Sequence, residues 1–485
     1  MTLRKSSISP MLRPTPGRMP VNTLDARIAY FGDAAELQRR LRPMGVVLRL
    51  DRCEASSVRT MFFVDPTRVL TFRGREGRLV ESSGKVRSVE DPFSTIDLLL
   101  GALRPAPADA PDCVGGLVGF LGYELLSHVE PIPADLPGES ALPDLWLGDF
   151  PLVVVFDPRK EPGVVRLFGL DDDAPTRRRA EAVRRCLELP LPSPPKPPLE
   201  EASARPAISS MGRQRWLRRV EEIREAIRDG SVYQVNLTQR FLVRVPGEAA
   251  VIYQRLLDRH PARYAAHLAL EGGDILSLSP ELFLEIRDRE VITRPIKGTL
   301  PRGKAPAEDE RQAAALLASA KDRAELAMIV DLMRNDLSKV ARTGSMKVVS
   351  HAALESVPTV HHLVSTVRAV LDDGKTLGDL LRATFPGGSV TGAPKVAAME
   401  YIREMETLRR GPYTGAIGFL GRDGRARLNL AIRTLVLDSE LARIHAGCGI
   451  VADSDPIAEW REAVAKVEGL LEILGGDAPC NPDKC

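Results

Sequence analysis

Short apolar runs in the first part of the chain predict β-strands. Clear examples are MFFVD at 61–65, GGLVGFLGYEL at 115–125 and LVVVFD at 152–157. Runs of this length, bounded by glycine, proline or charged residues, are typical of strands. The pattern stops at residues 187–206, where closely spaced prolines prevent both a helix and a central strand. We therefore predict a linker over 187–206.

After the linker, helical and strand periods alternate. Trp216, Val220, Ile223 and Ile227 form one apolar stripe at spacings of three and four, which predicts a helix that ends at Gly230. Further along, the glycine-rich loop PGGSVTGAPK leads into a second apolar-periodic run, KVAAMEYIREM, which also predicts a helix. A last helix is predicted from Pro456 to about Leu474. The second part of the chain therefore mixes helices with strands.

Alternating polar residues predict a strand in VYQVNLTQRFLVRV, because Gln234, Asn236 and Thr238 would share one face. Two hairpins follow. The first joins ILSLSPELFLEI to EVITRPIKGT and turns at Asp288–Arg289, and the second turns at Asp423–Gly424 and continues through LNLAIRTLVLD. Arg433 falls within the predicted strand LNLAIRTLVL.

Composition places the chain among ordinary globular proteins. Of its 485 residues, 44% are hydrophobic and 27% are charged, and 67 basic residues against 65 acidic ones give a net charge of +2. This balance gives no support for a nucleic-acid partner, which would need a concentrated basic face. No apolar run is long enough to cross a membrane, and the N-terminus lacks an apolar signal core. Six cysteines without a CxxC pair fit a reducing, cytoplasmic environment.

These patterns divide the chain into five segments. They are a disordered tail at 1–24, an N-terminal region at 25–186, the linker at 187–206, a second region at 207–475 and a C-terminal tail at 476–485. Two cysteines, Cys480 and Cys485, lie in the polar C-terminal tail. They could contact a metal ion, but unpaired cysteines of a frayed chain end are the simpler interpretation.

The loop PGGSVTGAPK matches a phosphate-binding loop only in part. Gly387 and Gly392 have the required spacing, but Ala393 stands where the lysine should follow, and Lys395 comes two residues late. ATP binding is therefore not expected. The amides of a glycine-rich turn at a helix N-terminus could still bind another anion, or the loop could be a plain tight turn.

Two acidic pairs have helical spacing. Asp322 and Glu325 would share one helix face, and Glu459 and Glu462 repeat the spacing on the last helix. Carboxylates from two helices could hold Mg²⁺, which binds a few carboxylates and keeps water or substrate oxygens as its other ligands. A solvated helix face is the alternative, and Lys466 could simply pair with Glu462.

Five single residues add further candidates. Lys297 in RPIKGT ends a predicted strand, where lysine is an unusual choice. His361 and His362 would point to opposite faces of a strand, so at most one of them enters a given pocket. Glu281, which follows a Ser-Pro pair, could be a general acid or could cap the next element. Arg433 is flanked by apolar residues and needs a carboxylate partner from the protein or from a ligand.

Eight motifs together resemble the chorismate-utilising enzymes. In order from 279 to 466 they are SPELFLEI, RPIKGT, DRAELAMIVDLMRNDL, HHLVSTV, FPGGSVTGAPKVAAMEYI, GPYTGAIGFL, LNLAIRTL and AGCGIVADSDPIAEWREAVAK. The resemblance covers 210–475, and GGLVGFLGYEL with DLWLGDFPLVVVFD extends it to the N-terminal region. It implies an α+β fold like that of anthranilate synthase component I. That fold has two facing antiparallel β-sheets with outer helices and an active site between them, which makes 187–206 an exposed loop of one unit.

Two positions distinguish the branches of this family. Lys297 stands where anthranilate synthases have alanine, and by resemblance to aminodeoxychorismate synthase component I it is a nucleophile that adds to C2 of chorismate. Ammonia then enters at C4, which leads to para-aminobenzoate and folate. The attacking amine must be neutral, and burial away from carboxylates would favour that form. Gln234 stands where isochorismate and salicylate synthases have a lysine that activates water.

The resemblance also assigns the other site residues. By this resemblance, Glu281 is the general acid and His362 points into the site. Tyr413 and Arg433 would bind the enolpyruvyl carboxylate of chorismate. Further substrate contacts would come from Gln234, Gly298, Thr299, Lys395, Gly447, Cys448 and Gly449. Mg²⁺ would be held by Glu325 and Glu462, with Asp322 and Glu459 in support through water. Cys448 departs from the family, which has a smaller residue there.

The resemblance implies a separate glutaminase subunit that supplies ammonia. None of the six cysteines has the setting of a glutaminase nucleophile. Three alternatives remain open: anthranilate synthase component I, an isochorismate-type enzyme and a catalytically inactive regulatory homologue. The tryptophan-contacting motif of anthranilate synthases has no good match in LRLDRCEAS, so feedback inhibition by tryptophan is not expected.

Overall fold

The computed structural model of the protein describes residues 23–54, 57–134, 136–138, 140–190 and 205–477. No helix within these residues is both long and apolar enough to cross a membrane. The predicted tails and most of the predicted linker, together with Cys480 and Cys485, lie outside the described residues. At the inner edges of those segments, helix α3 runs on to Glu188 and short strands begin at Leu24, Arg205 and Gly476.

The α-helices of the described residues are α1 (Ala34–Leu41), α2 (Pro92–Leu100), α3 (Ala174–Glu188), α4 (Arg213–Arg228), α5 (Ala249–Arg259), α6 (Pro306–Ala318), α7 (Ala320–Ser338), α8 (Leu377–Thr384), α9 (Lys395–Met405) and α10 (Pro456–Leu474). Short 3₁₀ helices span Arg42–Met44, Tyr123–His128 and Gly388–Val390.

The strands are β1 (Leu24–Ala29), β2 (Val47–Glu54), β3 (Ser57–Val64), β4 (Arg68–Arg73), β5 (Glu76–Glu81), β6 (Val86–Val89), β7 (Gly116–Leu121), β8 (Leu145–Phe150), β9 (Val153–Phe156), β10 (Val164–Gly169), β11 (Arg205–Pro206), β12 (Ile208–Ser209), β13 (Gln234–Arg244), β14 (Tyr264–Leu270), β15 (Gly273–Ser279), β16 (Leu282–Arg287), β17 (Glu290–Arg294), β18 (Ile296–Pro301), β19 (Lys347–Ser356), β20 (Val360–Val370), β21 (Gly392–Ala393), β22 (Ala416–Gly421), β23 (Ala426–Leu430), β24 (Thr434–Asp438), β25 (Leu441–Ile450) and β26 (Gly476–Asp477).

Two large antiparallel sheets contain nearly all of these strands. Sheet 1 has the order β1-β10-β9-β3-β2-β14-β15-β24-β25-β13-β12, and β21 also pairs with β13. Sheet 2 has the order β18-β20-β17-β16-β23-β22-β7-β8-β4-β5-β6, and β19 also pairs with β20. Both sheets combine strands from before and after residues 187–206, so the two parts of the chain fold together. The predicted α+β fold with two antiparallel sheets is confirmed.

The sheets face each other across a shared apolar core, and helices cover their outer faces. Leu48 and Phe63 of sheet 1 belong to the same buried cluster as Phe120 and Ile417 of sheet 2. On the outside of sheet 1, the apolar stripe predicted for α4 is buried against α10. Helices α2, α7 and α8 cover sheet 2 in the same way. The result is four layers: helices, sheet 1, sheet 2 and helices. This arrangement follows because each element buries an apolar face against a neighbouring layer.

Two runs that were assigned to the predicted hairpins cross from one sheet to the other. ILSLSPELFLEI divides into β15 in sheet 1 and β16 in sheet 2, and LNLAIRTLVLD divides into β23 in sheet 2 and β24 in sheet 1. Pro280 has no backbone N–H for a ladder, and Arg433 has a positive φ of 48°, so both break the strand locally. The two crossovers are joined, because Ser279 Oγ donates to Leu430 O at 2.6 Å.

Candidate active site

The two crossovers border a cavity of about 680 Å³ between the sheets. Its walls come from β13 and β25 of sheet 1, from β18 and β20 of sheet 2, and from helices α7 and α10. All of the site residues predicted from the sequence line this cavity except Gln234, Lys395 and Cys448. Those that line it are Glu281, Lys297, Gly298, Thr299, Asp322, Glu325, His362, Tyr413, Arg433, Gly447, Gly449, Glu459 and Glu462.

Lys297 lies on β18 and has a carboxylate nearby. Its Nζ is 4.0 Å from Glu325 Oε2, and both side chains are largely buried. The prediction of surroundings free of carboxylates is therefore wrong. The reason is that α7 packs beside β18 and carries Glu325 on the face that it turns to the cavity. The amine of Lys297 and the proposed metal-binding carboxylates thus belong to one continuous surface.

Gln234 lies directly behind the cavity wall beside Lys297. A Cβ placed on Gly449 would be 2.3 Å from Gln234 Nε2 and 3.3 Å from Lys297 Nζ, so the missing side chain at 449 allows the two residues to approach. Gln234 is fully buried, and neither atom of its amide has a hydrogen-bond partner among the described residues. Buried amides are normally paired, so this one is an unsatisfied polar group directly behind the cavity wall.

Glu281 occupies the crossover between β15 and β16. Burial raises the pKa of its carboxyl to about 7, although the hydrogen bond from Ser389 and the charge of Lys297 oppose the shift. Ser389 Oγ donates to Glu281 Oε1 at 2.7 Å. A carboxylic acid with a pKa near neutrality can hold and release a proton under physiological conditions, which suits a general acid.

The two adjacent histidines face opposite sides of β20, as predicted. His361 Nε2 lies 2.9 Å from Asp309 Oδ1, away from the cavity. His362 lines the cavity, where its Nδ1 is 2.8 Å from Thr299 Oγ1. Burial, together with the charge of Arg433, lowers the pKa of His362 to about 4, so its ring is neutral at pH 7. A neutral ring can donate or accept one hydrogen bond at the cavity surface.

Arg433 provides a cation without a protein counter-ion. Its side chain lines the cavity, and no carboxylate of the described residues forms an ion pair with it. A buried guanidinium needs an anionic partner, so this arrangement favours a carboxylate on the ligand. Tyr413 lines the same cavity and stacks on His445 with ring centroids 5.3 Å apart. Burial raises the pKa of Tyr413 to about 12, which keeps its hydroxyl a hydrogen-bond donor.

Four carboxylates from two helices face the cavity. Asp322 and Glu325 come from α7, and Glu459 and Glu462 come from α10. Burial raises the pKa of Glu325, against the opposing charges of Lys297 and Lys321. The pairing predicted for the last helix is also present, because Lys466 Nζ donates to Glu462 Oε1 at 2.8 Å.

Most of the side-chain atoms here that could bind a metal ion are carboxylate oxygens. One oxygen each of Glu459 and Glu462 and the sulfur of Cys448 lie within 4.8 Å of one another. The thiol of Cys448, however, donates to the backbone oxygen of Glu459 at 3.2 Å. Hard divalent cations such as Mg²⁺ prefer carboxylate oxygens, and in this group both carboxylates come from α10, whereas Asp322 and Glu325 of α7 are not part of it.

Two predicted substrate contacts have structural roles in this fold. Lys395 Nζ donates to the carboxylate of Asp336, to Thr384 O at 3.0 Å and to Pro386 O at 2.8 Å, so its three donors are used. It lies outside the cavity and ties the glycine-rich loop to α7. Cys448 points away from the cavity into the core behind β25, because side chains alternate along a strand and its neighbours Gly447 and Gly449 face the cavity.

Sequence reasoning missed several residues of the cavity. Ser389 lies within the glycine-rich motif. That motif suggested an anion-binding loop and did not indicate that Ser389 is a hydrogen-bond partner of Glu281. Lys321 lies 4.0 Å from both Glu325 Oε1 and Glu459 Oε1, and only its position one turn before Glu325 could have indicated this. His445 had no sequence signal, because strand alternation alone does not show which face meets a ligand.

A buried ion pair behind the cavity was also missed. Arg410 donates to Glu406 Oε1 at 2.6 Å, to Asn236 O at 2.7 Å and to Val390 O at 2.8 Å. Its guanidinium also lies 4.5 Å from the ring centroid of Tyr123. Asn236 and Val390 both line the cavity, so this one side chain fixes β13 against the 3₁₀ helix that carries Ser389.

Comparison with known proteins adds independent information. The chorismate binding enzyme family matches residues 58–472. Aminodeoxychorismate synthase component 1 of Salmonella typhimurium is 40% identical over 412 residues, covering 84% of this chain and 88% of that protein. Anthranilate synthase component 1 of Thermus thermophilus is 37% identical over 405 residues, covering 83% and 87%. The crystal structure of anthranilate synthase component I from Streptococcus pneumoniae TIGR4 superimposes with a TM-score of 0.74 at 30% identity, covering 85% of this chain and 92% of that one.

Proposed function

The chain belongs to the chorismate binding enzyme family, and we propose that it is component 1 of an aminodeoxychorismate synthase. The reaction converts chorismate and ammonia to 4-amino-4-deoxychorismate and water, and it serves para-aminobenzoate and folate biosynthesis. The observation that carries the proposal is the position of Lys297 in the cavity, beside Gln234 and in the same cavity as Glu281. Similarity to the Salmonella typhimurium protein supports the same function.

The first half of the reaction replaces the C4 hydroxyl by a bond to the enzyme. The neutral amine of Lys297 adds to C2 of the ring, the double bonds shift, and the C4–O bond breaks. Glu281 donates its proton to the departing oxygen, which leaves as water. The hydrogen bond from Ser389 stabilises the carboxylate that remains on Glu281. The lysine nitrogen becomes positively charged as it bonds to C2, and it passes the extra proton to the carboxylate of Glu281. The intermediate is then a neutral secondary amine that joins Lys297 to C2.

The second half returns the lysine to its free form. Ammonia attacks C4 with its lone pair, the double bonds shift back, and the bond between Lys297 and C2 breaks. The lysine nitrogen takes up a proton as it leaves, and the new C4 amine loses one. Because C2 is occupied by the lysine during this step, ammonia is directed to C4. Gln234 cannot act as a base for water, which disfavours hydrolysis at C2.

The cavity also provides for the two carboxylates of chorismate. Arg433, which lacks a protein counter-ion among the described residues, would bind the enolpyruvyl carboxylate together with the hydroxyl of Tyr413. Glu325 and Glu462, supported by Asp322 and Glu459, would hold Mg²⁺ at the other end. When bound, this ion would neutralise the ring carboxylate. Backbone amides of Gly298, Thr299 and Gly449 can donate to the remaining substrate oxygens.

Anthranilate synthase component 1 is the main alternative, since a relative with that name is 37% identical. The lysine at 297 argues against it, because the resemblance places alanine there in anthranilate synthases. An isochorismate-type reaction is disfavoured by Gln234. A regulatory protein without activity is disfavoured by the titratable groups around the cavity, above all the raised pKa of Glu281.

One assay distinguishes these functions. The purified protein is incubated with chorismate, Mg²⁺ and an ammonium salt at alkaline pH, and the product is identified by mass and absorbance. We expect 4-amino-4-deoxychorismate. Anthranilate would indicate amination at C2, isochorismate would indicate attack by water, and unchanged chorismate would indicate a protein without this activity. Each of the last three results contradicts the proposal.

The pH dependence of the reaction tests the roles of Glu281 and Ser389. A general acid works only while it is protonated, so kcat/KM for chorismate should fall as the pH rises through the pKa of Glu281, which is about 7. Ser389→Ala removes a hydrogen bond to the carboxylate and should move this fall about one pH unit higher, since such a bond contributes about 1.5 kcal/mol. The profile is measured at a constant concentration of free ammonia.

The control for this measurement is Ser338→Ala, which removes a hydroxyl from the exposed surface of α7. It should keep the profile of the parent protein. A Ser389→Ala profile that stays in place or moves to lower pH would rule out Glu281 as the acid that Ser389 tunes.

A separate glutaminase subunit is part of the proposal. At neutral pH most ammonia is protonated and cannot attack carbon, so the synthase needs a local source of neutral ammonia. The related proteins are named as component 1, which supports a second component. The described cysteines do not have the properties of a glutaminase nucleophile. Burial raises the pKa of Cys53 and Cys113 to about 12 and also raises that of Cys186 and Cys448.

We expect the purified chain to form product from ammonium salts and not from glutamine, because none of the four cysteines in the described part of the chain has the properties of a glutaminase nucleophile. Product formation from the two nitrogen sources is compared at equal chorismate concentration. A cognate glutaminase added to the glutamine reaction provides the positive control. Efficient use of glutamine by the chain alone would show that it contains a glutaminase site of its own.

A further inference from the structure

The residues that line the active-site cavity all come from after the predicted linker, beginning with Asn236. The N-terminal region nevertheless contacts one wall of the site, through the loop between α9 and β22. We call residues 409–415 of that loop, RRGPYTG, the tyrosine loop, because they carry Tyr413 into the cavity. The contacts that hold this loop therefore decide where Tyr413 lies.

The backbone of the tyrosine loop is irregular. Gly411 and Thr414 both have a positive φ, of 61° each, which is unfavourable for a β-branched residue such as threonine. The second half of the loop is fixed within the catalytic part of the chain, because Thr414 N donates to Ala431 O at 2.8 Å. The first half, residues 409–411, needs partners from elsewhere.

Those partners come from the N-terminal region. Arg409 N donates to Pro137 O at 3.0 Å. The next two amides share one carboxylate, since Glu124 Oε1 accepts from Arg410 N at 2.9 Å and Glu124 Oε2 accepts from Gly411 N at 3.0 Å. Hydrogen bonds to a charged acceptor are stronger than neutral ones. A single side chain thus fixes two successive peptide groups of the tyrosine loop.

Glu124 is deeply buried, with only 5% of its surface exposed. Burial raises the pKa of its carboxyl to about 7, although the charge of Arg409 and the hydrogen bond from Gly411 oppose the shift. Arg409 Nε lies 3.8 Å from Glu124 Oε1, and the same guanidinium also pairs with Asp144. At the alkaline pH of the ammonium assay the carboxylate is therefore charged, and both of its oxygens can accept.

The position of the loop is transmitted to two aromatic rings of the cavity. Pro412, which has a restricted φ, separates Tyr413 from the second anchored amide. The Tyr413 ring stacks on His445 at an interplanar angle of 17°, and the His445 ring is hydrogen-bonded to the backbone of Arg409. A hydroxyl that binds a carboxylate must lie within a few tenths of an ångström of its ideal distance. Release of the first half of the loop would displace it.

We propose that Glu124 is a positioning residue for chorismate: it holds the tyrosine loop so that the hydroxyl of Tyr413 meets the enolpyruvyl carboxylate. The inference rests on the proposed function, which gives Tyr413 this role. It adds that the N-terminal region contributes to the affinity for chorismate through one buried carboxylate that does not touch the ligand.

The test is a double-mutant cycle between Glu124 and Tyr413. Glu124→Gln keeps the shape of the side chain but replaces one accepting oxygen by an NH₂ group, which cannot accept from a backbone amide. Tyr413→Phe removes only the hydroxyl, and a third protein carries both changes. If the glutamine variant does not fold, Glu124→Asp takes its place in the cycle, because it keeps the charge but is too short to hold both amides.

The matched control is Asp97→Asn. Asp97 of α2 also belongs to the N-terminal region and also accepts from a backbone amide of the second region, Gly378 N at 2.9 Å. It does not line the active-site cavity and has no contact with the tyrosine loop among the described residues. Its variant should therefore keep the KM and kcat of the parent protein.

The KM for chorismate, the kcat of amination and the midpoint of thermal unfolding are measured for each protein. Glu124→Gln should raise the KM about tenfold, which corresponds to about 1.4 kcal/mol. It should leave kcat within about threefold, because Lys297 and Glu281 keep their places. In the Tyr413→Phe background the same change should alter the KM less than about twofold, since the hydroxyl that the loop positions is already absent.

The outcomes separate this inference from the proposed function. If the parent protein does not aminate chorismate, the proposed function fails and the role of Glu124 fails with it. If the parent aminates chorismate and Glu124→Gln keeps its KM, the function stands and the positioning role is wrong. An equal rise in KM with and without the Tyr413 hydroxyl would also overturn the role, because Glu124 would then support the fold without acting through Tyr413.

Discussion

Replacing Lys297 by alanine is expected to slow the amination of chorismate at C4 about a hundredfold or more, which corresponds to about 3 kcal/mol of activation free energy. The physical reason is that alanine has no nitrogen to bond to C2, so ammonia would have to displace the C4 hydroxyl without the covalent intermediate. The adduct between enzyme and substrate should disappear at the same time. Rate and adduct are measured on the same samples, by product analysis and by mass spectrometry of quenched protein.

Two further variants distinguish the loss of the Lys297 nucleophile from the loss of a positive charge near Glu325. Lys297→Arg keeps a cation near Glu325, which lies 4.0 Å from the lysine nitrogen, but arginine cannot attack carbon. It should lose the adduct as completely as alanine does. The other lysine close to Glu325 is Lys321, whose side chain is more than half exposed. The variant Lys321→Ala should still form the adduct. If Lys297→Ala aminates C4 as fast as the parent protein, the covalent route is wrong.

The position of residual amination gives a second readout on Lys297→Ala. In the parent, the proposed adduct occupies C2 and leaves C4 as the position open to ammonia. Without it, C2 becomes accessible, and the variant then resembles anthranilate synthases at this position. We expect any remaining aminated product to include nitrogen at C2. Residual product with nitrogen at C4 alone would mean that the cavity, and not the lysine, sets the position of attack.

Sequence patterns predicted most elements of the fold because local signals define them. The apolar stripe predicted the helix α4, which ends at Arg228 and is followed by Gly230 with a positive φ, and alternating polar residues predicted β13 at Gln234–Arg244. The first hairpin turns at Asp288 and Arg289, both of which have positive φ. In each case the spacing of side chains or a turn residue carries the information within a few neighbours.

The same patterns could not predict that the strands change sheets. Apolar residues continue across Pro280 and across Arg433, because both partner sheets bury their strands on the side of the shared core. Alternation therefore looks unbroken while the hydrogen-bond partners change from sheet 1 to sheet 2. Which strand pairs with which depends on distant parts of the chain.

Pairings within the site were missed for the same reason. The contact between Ser389 and Glu281 joins segments more than a hundred residues apart, and so does the network around Arg410. The sequence placed Lys395 correctly at the start of α9, yet Asp336 of α7 uses its charge. Residue type and local spacing therefore identify candidate chemistry, whereas the tertiary fold decides which charges are already compensated.

The other large effect concerns the carboxylates of α7 and α10. Removal of Mg²⁺ by EDTA should abolish the activity of the parent protein, and Glu325→Gln or Glu462→Gln should abolish it even in excess Mg²⁺. An amide is a much weaker ligand for this ion than a carboxylate, and each helix would lose its main contribution. Activity is measured with Mg²⁺ titrated back after EDTA, and Mg²⁺ binding is followed by calorimetry in the presence of chorismate.

These variants should remain folded, which makes the result interpretable. Burial raises the pKa of Glu325, so its charge is unfavourable in the fold and a neutral glutamine does not cost stability. Glu462 is half exposed and pairs with Lys466, an interaction of the kind that contributes little. Thermal unfolding provides the check. Asp331→Asn on α7 and Glu472→Gln on α10 are exposed controls on the same helices, and both should keep the Mg²⁺ response of the parent.

The four variants should differ in their response to Mg²⁺. We call Glu325 and Glu462, which would bind the ion directly, the inner carboxylates, and Asp322 and Glu459, which would act through water, the outer ones. The carboxylate of Asp322 accepts a hydrogen bond from Ser319, and that of Glu459 accepts one from Ser454 at 2.7 Å. Both are partly engaged by the protein, so they would act through water. Asp322→Asn and Glu459→Gln should therefore raise the Mg²⁺ concentration needed for half-maximal activity without abolishing it. Unchanged kinetics of the parent in EDTA would refute the metal assignment altogether. Equal losses in all four variants would refute the division into inner and outer ligands.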